Sequence, residues 1–120
     1  GVLGLAFKQN ADDMRDAPSL DIIPALQAAG AKVKAFDPEA MEEASHLLSD
    51  VEFAKNAYDA VEGADAMVII TEWDQFRALD LERIKGALNS NIVVDLRNIY
   101  SPEDMAGRGV KYTSIGRPSV

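Results

Sequence analysis

Short apolar segments rich in β-branched residues alternate along this chain with amphipathic segments of helical period. A strand, a helix and a further strand in succession are typical of parallel strands joined by crossover helices. We predict strands at residues 2–7, 32–36, 51–53, 66–71, 91–95 and 110–115. The runs at 67–70 and 92–94 are continuously apolar, as expected for central strands covered on both faces. The chain is therefore predicted to be an α/β protein with a three-layer, doubly wound, mainly parallel six-stranded sheet.

Local signals predict where the connecting helices begin and end. Leu20, Ile23 and Leu26 recur at helical spacing, and Gly30 follows where a left-handed C-terminal cap is favoured. Side chains suited to capping the N-terminus of a helix precede the later helical segments, at Asp37, Asn56, Asp80 and Ser101. We expect the tail at 117–120 to be loose.

The chain has 120 residues, which is near the commonest size of one domain, so we treat 1–120 as a single domain. Its longest apolar stretch, at 66–70, is far too short to span a membrane, and we expect neither a membrane span nor a signal peptide. The absence of cysteine excludes disulfides and thiolate metal sites within these residues and fits a cytoplasmic setting. Because Gly1 leads directly into an apolar run, we expect the chain to be part of a longer protein.

The charge balance limits the class of partner. Twelve basic and twenty acidic residues give a net charge of −8, which repels phosphate polymers from most of the surface. Nucleic acid is therefore not an expected partner.

Three of the basic residues, Lys8, Arg15 and Arg97, follow predicted strands at the edge where parallel sheets bind their ligands. Their positive charges in an acidic domain predict a focused anion site, because ammonium and guanidinium groups favour diphosphates. The alternative is that they form surface ion pairs with the nearby acids Asp12, Asp13 and Glu72. The residue pattern leaves both interpretations open.

The first predicted turn lacks a dinucleotide fingerprint. A Rossmann site needs glycines at fixed spacing in that turn, whereas Gly1 and Gly4 lie before or within the strand and residues 8–11 contain no glycine. Asp37, at the end of the second strand, resembles a ribose-binding acid, but the sequence Asp-Pro-Glu is first of all a helix start. We therefore predict a Rossmann-like sheet without its own dinucleotide site and favour the capping role for Asp37.

Other candidate sites have alternative interpretations. Trp73 and Phe76 could stack on a base, but we favour a role in sealing the rim of the core. The pair Asp12 and Asp13 is compatible with a phosphorylation receiver, although the required aspartate after the third strand is absent. His46, the single histidine, is expected on a helix surface, and we expect no metal site.

Several segments form a more specific pattern: GLAFK at 4–8, DDMRDAP at 12–18, FDP at 36–38, TEW at 71–73 and DLRNIY at 95–100. Together they resemble the UDP-binding domain of the UDP-glucose/GDP-mannose dehydrogenase family of nucleotide-sugar dehydrogenases, over nearly the whole chain. The TEW segment is more similar to members that act on UDP-glucose than to relatives that act on GDP-mannose or UDP-N-acetylmannosamine.

This resemblance implies a parent enzyme of polysaccharide biosynthesis that oxidises UDP-glucose to UDP-glucuronate in two NAD-dependent steps through a cysteine-bound intermediate. It also implies that an N-terminal domain of the same parent binds NAD and that the catalytic cysteine lies upstream. The expected partners of this domain are UDP-glucose or UDP and that N-terminal domain, and we assign no catalytic residue here. A non-enzymatic receiver or nucleotide-binding module remains an alternative.

The resemblance also implies roles for individual residues. Phe7, Lys8 and Arg97 match substrate contacts of the family, and Arg15 matches an arginine that reaches toward NAD. Two positions depart from the family pattern: Gln9 replaces a usual proline and Ala11 a usual threonine. We expect a more mobile loop around Lys8 and the loss of one hydroxyl hydrogen bond.

Overall fold

A computed structural model describes residues 1–8 and 10–120. Within these residues, six strands form one sheet in the order β3-β2-β1-β4-β5-β6, and every neighbouring pair is parallel. The strands are β1 (Val2–Leu3), β2 (Val33–Phe36), β3 (Val51–Phe53), β4 (Ala66–Ile69), β5 (Ile92–Asp95) and β6 (Lys111–Ser114). The predicted Rossmann-like α/β class is confirmed.

The first strand is shorter than predicted and ends at Leu3 instead of residue 7. Gly4 has a φ of +93°, which turns the chain out of the strand. The next two backbone N–H groups, of Leu5 and Ala6, donate to the side chain of Asp37 at 2.7 and 3.0 Å. A side chain thus replaces the neighbouring strand as hydrogen-bond acceptor, which explains the early end of the ladder.

The helices of the described residues are α1 (Ser19–Ala28), α2 (Met41–Leu47), α3 (Ala57–Val61), α4 (Asp74–Arg77), α5 (Leu81–Ala87) and α6 (Pro102–Gly107). Asn56, Asp80 and Ser101 each accept a backbone N–H in the first turn of α3, α5 and α6, as predicted. Helix α2 begins at Met41, later than predicted, because Asp37 caps a turn that precedes it.

Two apolar layers lie on opposite faces of the sheet because successive strand residues point to opposite sides. Leu3 and Met67 pack in the layer with α3, α5 and α6, whereas Val2 and Val68 pack in the other, against α1 and α2. Trp73 and Phe76 are buried in the first layer, which confirms their predicted role at the rim of the core.

The last residues are tied to the sheet, so the expectation of a loose tail was wrong. Tyr112 and Val120 exchange two backbone hydrogen bonds of 2.9 and 3.0 Å. Arg117 donates to Ser114 Oγ at 2.9 Å and to the Tyr112 hydroxyl at 2.8 Å. None of the helices in the described part of the chain has both the length and the apolar character needed to cross a bilayer.

Candidate functional site

The carboxyl ends of the strands meet at one edge of the sheet, because all six strands are parallel. β4 lies between β1 and β5, so the loops that carry Lys8 and Arg97 leave the same edge on either side of β4. At the usual strand spacing the two strand ends are about 10 Å apart. The structure therefore brings these two cations to one edge, as predicted.

Three buried side chains fix the segment that leads from β1 to Phe7 and Lys8. Asp37 accepts the N–H groups of Leu5 and Ala6. Ser19 Oγ donates to the Leu5 carbonyl at 2.7 Å, and Thr71 Oγ1 donates to the Ala6 carbonyl at 2.6 Å. Thr71 follows β4, Asp37 follows β2, and Ser19 begins α1. Because these three side chains are buried, the direction in which the chain leaves at Phe7 is set by the core.

The carboxylate of Asp37 is fully occupied and has no exposed surface. It accepts hydrogen bonds from the N–H groups of Leu5, Ala6, Glu39 and Ala40 and, at 3.3 Å, from Nε1 of Trp73. A carboxylate engaged in this way is not available to a ribose hydroxyl. Asp37 thus caps the turn after β2, as predicted. It also binds the segment after β1 and the Trp73 side chain, and the local sequence signal did not indicate these two contacts.

Phe7 and Lys8 both project from the surface. The Phe7 side chain belongs to a residue that is 48% exposed, an unusual position for an aromatic ring, while its backbone N–H donates to the Asp13 carbonyl at 2.8 Å. Lys8 is also exposed and forms no ion pair with another described residue. The loop after β1 therefore presents an apolar ring beside an ammonium group.

Arg15 is paired locally. Its Nε and Nη2 atoms donate to the two carboxylate oxygens of Asp13 at 3.1 and 3.0 Å, and its side chain remains 89% exposed. The side-chain hydrogen bond from Arg15 is the main reason that the pKa of Asp13 lies below its usual range. For Arg15 the predicted ion-pair alternative is realised, and the structure does not join it to Arg97.

Arg97 is held by Glu72, which lies between β4 and α4. Arg97 Nη2 donates to Glu72 Oε1 at 2.9 Å, and Arg77 Nη2, from α4, donates to Oε2 of the same carboxylate at 3.2 Å. Between a third and a half of the surface of each of these three side chains is exposed to solvent. Arg77 was not predicted as part of the site, because nothing in its local sequence distinguishes it from an ordinary surface residue.

The backbone around Arg97 is organised by Asp95, the last residue of β5. Its buried carboxylate accepts the N–H groups of Arg97, Ile99 and Tyr100 at 3.0, 2.8 and 3.1 Å. The Tyr112 hydroxyl, from β6, donates to the same carboxylate at 2.5 Å. The turn that carries Arg97 is therefore bound to two strands of the sheet.

Asn98 closes this turn from the other side. It has a left-handed backbone with φ of 56°, which asparagine tolerates better than most residues. Its amide donates to the Ile115 carbonyl at 3.0 Å and accepts the Ile115 N–H at 2.9 Å. The loops after β5 and β6 are joined by this pair of hydrogen bonds.

The other sequence predictions have simpler outcomes. His46 lies exposed on α2, as expected. Groups of acids and histidine suited to a metal ion are absent from the described ranges 1–8 and 10–120. The prediction for Gln9 falls on a residue outside those ranges, and the one for Ala11 stays a prediction.

Surface depressions lie at several places, and one of about 580 Å³ adjoins the loop after β1, beside Asp13 and Arg15. A second, of about 480 Å³, lies between α3 and α5, beside Tyr58 and Arg83. Another of about 500 Å³ lies at the opposite edge of the sheet, beside Gly1 and Ala66. Lys8 and Arg97 do not line any of these three depressions.

Comparisons with known proteins agree with the fold and the motifs. Residues 1–102 match the UDP-glucose/GDP-mannose dehydrogenase family, UDP binding domain. A UDP-glucose 6-dehydrogenase of Rhizobium meliloti (strain 1021) is 52% identical over 117 residues, covering 98% of this chain and 27% of that protein. UDP-glucose 6-dehydrogenase TuaD of Bacillus subtilis (strain 168) is 48% identical over 120 residues, covering 99% of this chain and 26% of that protein.

Solved structures give the same assignment. A UDP-glucose dehydrogenase from Pyrobaculum islandicum is 33% identical with a TM-score of 0.75, over 94% of this chain and 24% of that one. An NDP-N-acetyl-D-galactosaminuronic acid dehydrogenase from Methanosarcina mazei Go1 is 30% identical with a TM-score of 0.83, over 97% of this chain and 24% of that one.

The chain thus spans about a quarter of the length of the relatives that it matches. The match covers the β1 loop, Glu72 and the β5 loop, and it decides against the receiver interpretation of Asp12 and Asp13. The chain belongs to the UDP-glucose/GDP-mannose dehydrogenase family and corresponds to its UDP-binding domain.

Proposed function

We propose that residues 1–120 are one UDP-binding domain that holds the nucleotide part of UDP-glucose in an NAD-dependent UDP-glucose 6-dehydrogenase. The observation that carries this proposal is the position of Lys8 and Arg97 at one edge of the sheet, in a chain of net charge −8. An acidic surface with two cations gathered at the ligand-binding edge favours a small anion over a polyanion. The 52% identity to a UDP-glucose 6-dehydrogenase favours UDP-glucose over other nucleotide sugars.

Each proposed contact uses a different property of its side chain. Lys8 acts as a point charge for a phosphate oxygen, and the planar guanidinium of Arg97 can bind two oxygens of the diphosphate at once. Phe7 offers an exposed apolar ring against the nucleoside. Asp37, Asp95 and Asn98 hold the backbone from which these side chains project.

A dinucleotide site of the usual Rossmann type does not fit the residues of this chain. The first turn has no glycine at 8–11, and the Asp37 carboxylate is buried and already accepts five hydrogen bonds. We infer that NAD is bound mainly by an N-terminal domain of the same parent chain, a partner that this domain would face across a cleft. Arg15, which is 89% exposed, is our proposed contact from this side toward NAD.

The chain supplies binding and positioning, and the covalent step would take place elsewhere in the parent. It has no cysteine to form a substrate adduct. We propose a cytoplasmic setting, in keeping with the cysteine-free sequence. UDP-glucose with NAD should therefore not turn over on these 120 residues alone.

Titration of the isotope-labelled chain with UDP, followed by amide NMR, tests the proposal. We expect weak binding, because half of the cleft is absent and association must offset lost translational freedom. Shifts should concentrate at 5–8 and 96–100. The absence of any shift at millimolar UDP would contradict the proposal.

A pair of arginine variants tests the assignment of Arg97. Arg97→Ala should weaken UDP binding about ten-fold, since it removes charge-assisted hydrogen bonds. Arg108 is the matched control: it is likewise ion-paired and 35% exposed, but it follows α6 at the other end of the sheet. In the full-length parent, Arg97→Ala should weaken UDP-glucose binding and leave NAD binding nearly intact. Equal loss of both would assign Arg97 to the fold or to the domain interface.

A further inference from the structure

Glu72 is shared by two arginines at the edge of the sheet where the nucleotide is proposed to bind. Each oxygen of its carboxylate accepts one bond, Oε1 from Arg97 and Oε2 from Arg77. Arg77 lies five residues along the chain from Glu72, whereas Arg97 is brought to it by the pairing of β4 with β5. A carboxylate therefore already occupies the guanidinium that is proposed to receive a diphosphate.

The contact between Glu72 and Arg97 is of a kind that exchanges easily. Among the described residues, Nη2 is the one atom of the Arg97 guanidinium with a side-chain partner. The Arg97 side chain is 39% exposed and that of Glu72 is 34% exposed, so water screens their attraction. Exposed ion pairs of this type contribute little to stability. A diphosphate, with more charge and two or more oxygens in reach, can outcompete a single carboxylate oxygen.

The second arginine determines what happens to the carboxylate after exchange. Without another partner, the displaced Glu72 would face an incoming anion as an unpaired negative charge at the same edge. Arg77 remains bound to Oε2 and compensates part of that charge. The arrangement of one acid between two bases thus lowers the cost of releasing Arg97.

We propose that Arg97 exchanges Glu72 for the diphosphate of the nucleotide, while Arg77 retains the carboxylate. This inference rests on the proposed function and assigns two further residues to the site. Glu72 is a resident counter-ion that lowers the affinity, and Arg77 is a positioning residue that acts through Glu72 without touching the ligand.

A double-mutant cycle with UDP as the ligand tests this exchange. Glu72→Gln should tighten UDP binding by about two- to five-fold, the range expected when one exposed ion pair no longer competes. Arg77→Gln should weaken binding by about the same factor, because Glu72 then depends on Arg97 alone. In the Glu72→Gln background, Arg77→Gln should have no further effect. Dissociation constants come from amide NMR titration of the full 120-residue chain.

Asp74→Asn is the matched control for the loss of one negative charge. Asp74 is exposed in the first turn of α4, two positions from Glu72, and makes no ion pair with a described residue. Its substitution should change the UDP affinity much less than Glu72→Gln does. The Nε–H resonance of Arg97 should also differ between the wild type and Glu72→Gln before UDP is added, as expected if the pair exists in solution.

Several results would overturn the exchange. Equal or weaker binding by Glu72→Gln would mean that the carboxylate supports Arg97 in its bound position. A loss of affinity on Arg77→Gln that persists in the Glu72→Gln background would make Arg77 a direct ligand. If Asp74→Asn raised the UDP affinity as much as Glu72→Gln does, the gain would come from the loss of any negative charge near this edge and not from release of Arg97. If the wild type itself gives no shifts with UDP, the proposed function fails; if it binds UDP and only the cycle disagrees, the exchange alone fails.

Discussion

The hydroxyl of Tyr112 donates a hydrogen bond of 2.5 Å to the buried carboxylate of Asp95, across the pair of strands β5 and β6. The same hydroxyl accepts a bond from Arg117 at 2.8 Å. The last strand and the tail are in this way connected to the turn that carries Arg97. Their contribution to stability can be measured because a second buried tyrosine offers a comparison.

Tyr112→Phe should destabilise the domain more than Tyr100→Phe. The Tyr100 hydroxyl donates to a neutral acceptor, the Phe76 carbonyl, whereas Tyr112 donates to a carboxylate. Hydrogen bonds to charged groups contribute about 1.5–3 kcal/mol and neutral ones about 0.5–1.5 kcal/mol. Urea unfolding of both variants measures the difference, and an equal or reversed order would contradict the special role of Asp95.

The domain should lose stability at alkaline pH as Tyr112 ionises. Burial, together with the hydrogen bond to Asp95 and the charge of that carboxylate, raises the pKa of Tyr112 to about 12 from 10.0. Burial raises the pKa of Tyr100 as well. Because the folded state holds these protons more tightly than the unfolded state, the stabilisation is complete below pH 10.0 and declines as the pH rises through the folded values.

Denaturant unfolding at a series of pH values, with titration of phenolate absorbance, tests this dependence. In the Tyr112→Phe variant, the free energy of unfolding should decline less steeply between pH 10.0 and about 12. A stability that stays constant over that window in the wild type would show that Tyr112 titrates as freely as in an unfolded chain.

Gly4→Ala should be among the most damaging single-methyl additions to this domain. A Cβ at Gly4 would lie 2.5 Å from both the Cβ and the backbone nitrogen of Thr71, and its φ is +93°. We expect a loss of about 2–5 kcal/mol, which combines overpacking with an unfavourable φ. Gly30→Ala is the control, since its φ is +99° but nothing lies within 4 Å of the added Cβ. It should cost only about 1–2 kcal/mol.

Thermal or urea unfolding separates these two contributions. The difference between the variants isolates the close approach of β1 to the end of β4. If both lose the same amount, the backbone at Gly4 shifts freely and Thr71 does not fix its position.

Asn98→Gly should lower the stability through the loss of its two bonds to Ile115. Glycine tolerates the φ of 56° at this position, so the change removes the side chain without adding backbone strain. We expect a loss of about 1–3 kcal/mol. Asn91→Gly is the matched control, with a φ of 50° and no side-chain hydrogen bond to a described residue.

The Asn98 variant should also weaken UDP binding, because the turn that carries Arg97 gains freedom and must be ordered on association. Asn91→Gly should leave the affinity unchanged. Unaltered UDP binding by a destabilised Asn98→Gly would limit the role of this side chain to the fold.

Much of the fold could be predicted from local patterns. The alternation of apolar and amphipathic segments predicted a parallel α/β sheet. The caps at Asn56, Asp80 and Ser101 were predictable because each side chain accepts from a backbone N–H within three positions of it. Strand ends were less predictable. β1 ends at Leu3 because Asp37, more than thirty residues away, captures the next two N–H groups.

The features of the candidate site likewise fall into those that local sequence predicted and those that it did not. The sequence by itself determined which cations follow strand ends and, with parallel strands, that Lys8 and Arg97 share an edge. Only the tertiary structure decided that Arg97 meets Glu72 and that the buried Asp95 binds Tyr112 as well as its own turn. The reason is that residue type and spacing fix interactions over one or two turns of chain, whereas partners separated by 17 or 25 residues are chosen by strand order, which depends on how all the layers pack at once.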